Sequence, residues 1–366
     1  MIQPPPARPG MAEHEVDTPA LLVDLDALTF NLDRMAALLD GTGVRLRAHA
    51  KTHKSPVIAH MQAARGAIGQ CVQKVAEAEI MAWGGVPDIL VSNEVVAASK
   101  LARLVALGGL ARVAVCADTG AGVDRVAAAA AAANMRQDVL IEIDTGQGRC
   151  GVAPGPDAVA LAEHVARSPH LRFAGLQAYH GAAQHTRSLD ERTARIQAAA
   201  EQTRRTVEQL RQRGLDCGIV GGGGTGSFEL EAATGVFTEV QAGSYVFMDA
   251  DYGRNHGGAS AGFRQSLFVL ATVMSARPGH AVVDAGHKAV AIDSGMPLVW
   301  GRPGVTYTGA SDEHGVLMGD GLVWGEMVRL VPGHCDPTVD RHDWYVGVRG
   351  GRVECVWPVA ARGAMG

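Results

Sequence analysis

The chain has 366 residues, 47% hydrophobic and 19% charged, which is enough for a large barrel and a second domain. A formal net charge of −5 gives no basis for a nucleic-acid partner or an anionic membrane surface. No run of about 18 apolar residues is present to form a membrane helix.

In chain order, residues 1–17 are proline-rich and polar and are expected to form a flexible N-terminal arm, with no basic-then-apolar leader. Thr18-Pro19 leads into the buried-strand pattern of Ala20 to Leu25, followed by a helix through Leu28, Leu32, Met35 and Leu38. From Val44 onward, strands predicted at 44–50, 68–73, 88–92, 112–117, 138–144, 171–178, 216–220 and 237–241 alternate with helices at 56–65, 74–83, 94–107, 121–134, 156–167 and 189–213. Eight strands with intervening helices predict an α/β fold, a (β/α)8 TIM-type barrel over 18–255. Beyond 255 the pattern changes. Strands at 264–275, 280–285, 288–292, 305–309, 314–318, 326–331, 344–348 and 352–357, separated by Gly, Pro and Asp turns, predict an antiparallel β domain over 256–366. Cys71, Cys116, Cys150, Cys217, Cys335 and Cys355 are scattered without Cys-x-x-Cys spacing, so neither a disulfide framework nor a zinc knuckle is signalled, and a cytoplasmic location is expected.

The stretch from Arg47 to Pro56, Arg-Ala-His-Ala-Lys-Thr-His-Lys-Ser-Pro, places Lys51 where a strand gives way to a loop, the end of an α/β barrel at which chemistry is done. A lysine desolvated against a barrel wall has a lowered pKa and an amine free to form a Schiff base. This string resembles the cofactor-lysine motif of D-threonine aldolases and eukaryotic-type D-serine dehydratases, enzymes of pyridoxal 5′-phosphate (PLP). The resemblance runs from Thr18 to Arg362, with one mild departure at Ala48, where proline is common. It implies the alanine-racemase-like architecture (fold type III), with strand 20–24 pairing into the β domain.

Four further constellations line the predicted barrel mouth. Gly221-Gly222-Gly223-Gly224-Thr225-Gly226-Ser227 follows an apolar strand, and its backbone N–H groups can approach a phosphate closely. No lysine follows as in a nucleotide P-loop, which argues against nucleoside triphosphates. Gln241-Ala242-Gly243-Ser244-Tyr245 supplies another small-residue turn, and the resemblance implies that Gly243, Ser244 and Tyr245 complete the phosphate cup. Arg149, on a glycine-flanked turn, can bond the cofactor's phenolate oxygen or the substrate carboxylate. Gln177 and Tyr179 stand at the end of the sixth strand, Tyr179 beside the pyridine ring. His180 and His185 are both candidate bases; spacing leaves them undecided, and resemblance to the aldolases favours His185.

A fifth constellation lies in the β domain, Pro332-Gly333-His334-Cys335-Asp336-Pro337. In an extended segment residues i and i+2 face one side, so His334 and Asp336 can share a divalent ion, Mn²⁺ first with Mg²⁺ or Co²⁺ as alternatives. The aldolases carry His-x-Asp at this place and the dehydratases His-x-Cys; here Cys335 takes the middle position. The resemblance therefore implies a metal-activated D-threonine aldolase that cleaves β-hydroxy-D-amino acids to glycine and an aldehyde. Dehydration of D-serine or D-threo-3-hydroxyaspartate is the alternative, and a non-catalytic PLP carrier fits less well beside a metal-bearing β domain. The same resemblance implies a homodimer.

Overall fold

The computed structural model describes residues 3–366. Eight parallel strands close the barrel in chain order: β2 (Arg45–His49), β3 (Gly69–Val72), β4 (Asp88–Glu94), β5 (Arg112–Ala117), β6 (Gln137–Glu142), β7 (Leu171–Gln177), β8 (Ile219–Gly222) and β9 (Glu239–Val240). The helices are α1 (Leu25–Leu39), α2 (Pro56–Ala63), α3 (Val75–Trp83), α4 (Ala98–Ala106), α5 (Gly120–Ala132), α6 (Pro156–Arg167), α7 (Leu189–Gln212), α8 (Phe228–Ala233) and α9 (Cys335–Val339). The chain starts helices where its polar residues satisfy the first amides: Asp24 caps α1, Thr119 caps α5 and Ser188 caps α7.

Alternation sorts the strand residues. Cys71, Leu90, Ala114, Cys116, Leu140, Ala174 and Ile219 fill the barrel interior, whereas Val72, Val91, Val115 and Ile141 face the surrounding helices. Arg47 also points inward, 2% exposed, and bonds Glu239 at 2.8 Å and Asp88 at 2.6 Å. Buried charges need such partners, and removing one of them costs about 3–5 kcal/mol. The ion pairs plug the barrel floor, so His49 and then Lys51, two and four residues on, emerge at the mouth.

The second layer is a nine-stranded sheet ordered β11 (His280–Val283), β14 (Gly315–Met318), β13 (Thr306–Ala310), β12 (Leu298–Val299), β15 (Met327–Val331), β10 (Leu267–Arg277), β1 (Ala20–Asp24), β16 (Trp344–Arg349), β17 (Arg352–Pro358). β1 lies between β10, antiparallel, and β16, parallel. One apolar cluster joins the two layers: Leu28, Leu32 and Met35 of α1 pack with Val240, Tyr245 and Phe247 of the barrel and with Leu267, Val269 and Leu330 of the sheet. Each such side chain stabilises the joint by roughly 1.5–3 kcal/mol, so the barrel mouth and the sheet are held in fixed register.

Three stretches differ from the sequence expectation. Residues 3–17 do not hang free: Ala7 and Val16 are buried against Val346 and Val353, and Glu13 bonds Arg329 at 2.7 Å. The apolar run 288–292 forms turns, with the amides of Ala289 and Val290 both bonded to the carbonyl of Gly286, because a short apolar run can be buried without being a strand. The segment after His334 is the short helix α9; Pro337 falls in its first turn, where no amide donor is needed.

Candidate active site

Lys51 lies in the tight turn after β2, and its side chain is 41% exposed to a cavity of about 660 Å³ at the C-terminal end of the barrel. A volume of this size suits a small-molecule ligand. Its Nζ donates a hydrogen bond to Oδ2 of Asp336, which joins the barrel mouth to the β domain. Burial alone would favour a neutral amine, but the charge of Asp336 outweighs it and holds the lysine above its ordinary pKa. Burial likewise favours a neutral Asp336, and Lys51 and His334 overcome it, keeping the carboxyl well below the usual range. Lys54 is not an alternative at the mouth: it is buried and paired with Glu77 at 3.0 Å and Asp340 at 3.2 Å.

His334 is the extended N-cap of α9 (φ −142°, ψ 123°), and Asp336 lies in the first helical turn. The two approach to 4.0 Å, Nε2 to Oδ2, through a helix start rather than an extended strand. Asp293 bonds His334 Nδ1 at 2.8 Å, which turns Nε2 toward Asp336, the arrangement that orients imidazole ligands in metal sites. Asp249, itself buried, accepts the Cys335 amide at 2.9 Å and the Tyr252 amide at 2.8 Å, fixing the start of the helix. The Cys335 side chain is fully buried, away from the cavity.

Part of the cavity wall consists of Gly224, Thr225, Gly243 and Ser244, with Gly243 beside the turn that carries Lys51. Among the described residues the amides of these four donate to no protein acceptor. A Cβ on Gly224 would stand 2.5 Å from Gln184 Oε1, and one on Gly243 would stand 2.7 Å from the His49 carbonyl, so only glycine leaves this cradle open.

The remaining wall carries Gln177, bonded to Gln241 at 2.8 Å, together with Tyr179, Arg149, His185 and Tyr252. Arg149 lies 5.9 Å over the Tyr179 ring and 3.6 Å from Glu142. His185 presents Nδ1 to Asp251 at 2.6 Å, and Asp251 is also held by Arg187 and Arg254. His180, in contrast, is buried beneath the Gly146 turn and does not reach the cavity; burial, then Arg195, keeps its pKa low.

Residues 23–251 match the family described as "Alanine racemase, N-terminal domain", and residues 266–348 match "Putative serine dehydratase domain". The chain is 47% identical to a 3-hydroxy-D-aspartate aldolase of Paracoccus denitrificans (strain Pd 1222), over 98% of this chain and 95% of the relative. It is also 47% identical to a D-threonine aldolase of Arthrobacter sp, over 98% and 96%. A D-threo-3-hydroxyaspartate dehydratase of Delftia sp. (strain HT23) is more distant, 36% identical over 88% and 92%. The chain belongs to the D-threonine aldolase family. The crystal structure of D-threonine aldolase from Filomicrobium marinum superposes with a TM-score of 0.97 at 50% identity, covering 99% of this chain and 100% of that one.

Members of the D-threonine aldolase family are PLP-type enzymes, and the side chains present fit such a cofactor. The cavity joins an amine, an open amide cradle and the Tyr179 ring, and in its wall Thr52 Oγ1 is buried with no hydrogen-bond partner among the described residues. A cation fits the imidazole and carboxylate of His334 and Asp336, whose backing by Asp293 leaves Nε2 free. The open amide cradle is narrower than the glycine run suggests. Gly222 ends strand β8, packed against Phe237, and Gly223 packs against Val240 and Glu231, so neither lines the cavity. Gly226 gives its amide to Gln184 at 2.9 Å. Tyr245 is buried on the far side, with its hydroxyl bonded to Gln62 at 3.2 Å and its amide to Thr225. Sequence reasoning missed Asp251, Tyr252, Asp293 and Gln184. Only the Asp-Ala-Asp-Tyr run just after strand β9 carried a visible signal for the first two.

Proposed function

We propose that the chain is a metal-activated, PLP-dependent aldolase that cleaves D-threonine, D-allo-threonine and other β-hydroxy-D-amino acids to glycine and an aldehyde. The observation that supports this reading is the contact between Lys51 and Asp336, which brings an amine and an imidazole–carboxylate pair to one barrel mouth. The near-full-length relatedness to two aldolases supports it.

Lys51 would hold PLP, with its phosphate on the amides of Gly224, Thr225, Gly243 and Ser244; the bound cofactor supplies an electron sink for charge left at Cα. His334 and Asp336 would hold Mn²⁺, with Mg²⁺ or Co²⁺ as substitutes, a charge that makes an adjacent hydroxyl more acidic. The protein's own groups do the rest. Asp251 accepts the Nδ1 proton of His185, leaving the Nε2 lone pair to take the β-hydroxyl proton as the Cα–Cβ bond breaks. Arg149 at the rim offers its guanidinium to a carboxylate or phenolate, and Tyr179 packs beneath it. The Lys51 amine, the ligand pair and His185 fix three points around the substrate, so only one hand presents its β-substituent to both cation and base. The six free cysteines support a cytoplasmic location.

The test is D-threonine with PLP-loaded protein and Mn²⁺. Acetaldehyde and glycine in equal amounts are expected, with L-threonine untouched. Release of 2-oxobutanoate would make the chain a dehydratase, and bound cofactor with neither product would make it a carrier.

A further inference from the structure

A second group of ligand atoms stands beside the cavity, at the ends of three neighbouring barrel strands. Glu94 closes β4, Asp118 follows β5, and Cys150 sits on the loop after β6. One ligand atom from each of these three residues lies within 4.8 Å of the others. None of the three lines the cavity, which reaches only their chain neighbours Asn93 and Arg149.

An independent observation points to something held there. Glu142, the last residue of β6, is 4% exposed, and its Oε2 has no hydrogen-bond partner among the described residues. That carboxylate is directed at Glu94, both of whose oxygens are also buried and, among the described residues, face other acidic groups and the Cys150 thiol instead of a basic side chain or backbone amide. Among the described residues, Arg149 is the guanidinium that reaches Glu142, at 3.6 Å, and it is itself half-exposed. Asp118 is already oriented, with Oδ2 accepting the Gly151 amide at 3.2 Å. Three carboxylates thus face one another across a partly buried space with the Arg149 guanidinium at its edge. Buried carboxylate oxygens without donors are costly unless a cation or a shared proton lies between them.

We propose that Glu94, Asp118 and Cys150, backed by Glu142, form a second divalent-cation site, separate from the His334–Asp336 pair. A thiolate beside carboxylates selects a thiophilic first-row dication such as Zn²⁺ or Co²⁺ over Mg²⁺ or Ca²⁺. A cation there ties the ends of β4, β5 and β6 together and anchors Cys150, so that the adjoining Arg149 is held at the mouth. Cys150 and Glu94 act as positioning residues for that arginine.

The experiment is Zn²⁺ binding by equilibrium dialysis with elemental analysis on the PLP-loaded full chain, combined with zinc-edge X-ray absorption. In Asp336→Ala, which removes the first pair, one Zn²⁺ per chain is expected, with one sulfur neighbour at about 2.3 Å. Adding Cys150→Ser should remove the sulfur signal and weaken binding at least tenfold, and adding Glu94→Gln should weaken it similarly. Cys217→Ser and Cys355→Ser in the same background should change neither. Folding of each variant is checked by circular dichroism, and Glu94→Gln, which keeps side-chain shape, guards against a misfolded Cys150→Ser. An Asp336→Ala chain that binds no Zn²⁺, or binds it without sulfur and indifferently to Cys150→Ser and Glu94→Gln, overturns the proposal; Glu94 and Glu142 would then share a proton.

Discussion

The Lys51–Asp336 contact implies that, before cofactor is bound, the lysine ammonium competes with a metal for the same carboxylate. Lys51→Met removes that competitor while preserving an unbranched side chain. Two opposite charges about 4 Å apart at an effective dielectric near 20 interact by roughly 4 kcal/mol. The Lys51 side chain is 41% exposed, and fully exposed pairs contribute only about 0–1 kcal/mol, so water screening reduces the effect to about 1–2 kcal/mol. That corresponds to Mn²⁺ binding roughly 5- to 30-fold more tightly in cofactor-free Lys51→Met than in cofactor-free wild type. Isothermal calorimetry, or the free-Mn²⁺ signal in electron paramagnetic resonance, reads this directly. In Asp336→Asn the gain from Lys51→Met should vanish, since the two side chains share one interaction. Equal or weaker Mn²⁺ binding by Lys51→Met would show that Asp336 is a structural partner of the lysine and not a metal ligand.

Asp293→Asn should weaken Mn²⁺ binding about 10- to 100-fold with PLP affinity unchanged, because it disturbs only the orientation of His334; titration of each ligand separately checks this. Gly224→Ala places a methyl 2.5 Å from Gln184 Oε1, an overpacking of about 1–3 kcal/mol, and should weaken PLP binding roughly 5- to 150-fold by absorbance titration. Asp251→Asn should lower kcat about 10²- to 10⁴-fold with little change in PLP binding, since His185 loses the partner that sets its tautomer; His180→Asn should leave kcat near wild type, and the reverse outcome would exchange their roles. Burial raises Glu231 to about 8, against hydrogen bonding from Ser227. The folded form thus binds a proton that the unfolded form releases above its ordinary 4.5. The resulting stability is complete below that value and falls by about 1.4 kcal/mol per pH unit toward pH 8. Urea melts of cofactor-free Glu231→Gln should lack this portion of the decline; profiles parallel to wild type would contradict it.

The barrel was legible because its strands are buried on both faces and appear as short apolar runs between amphipathic, alanine-rich helices. Lys51, the His334–Asp336 pair and Arg149 stood out because each lies in a short string that resembles the family's motifs, and the structure places all of them at the barrel mouth. What the sequence concealed is long-range. Asp293 reaches His334 across 41 positions, and Asp251 reaches His185 across 66, with no periodicity that links them. The glycine run divides in two. Gly221 and Gly222 are small because Gln241, Phe237 and the Ala178 carbonyl crowd the strand, whereas Gly224 and Thr225 line the cavity, a division that the run of glycines alone does not reveal. Likewise the His334-to-Asp336 stretch was expected to be extended, whereas Asp336 and Pro337 fall in the first turn of α9, where proline is accommodated.

The central claim is that one amine and one N,O-held cation meet at a single barrel mouth. Anomalous diffraction at the manganese edge from crystals loaded with PLP and Mn²⁺ tests it most directly. The account predicts an anomalous peak bonded to His334 Nε2 and an Asp336 carboxylate oxygen, with continuous density from Lys51 Nζ into the cofactor. A cofactor attached to Lys54, or a manganese peak remote from both His334 and Asp336, would contradict it.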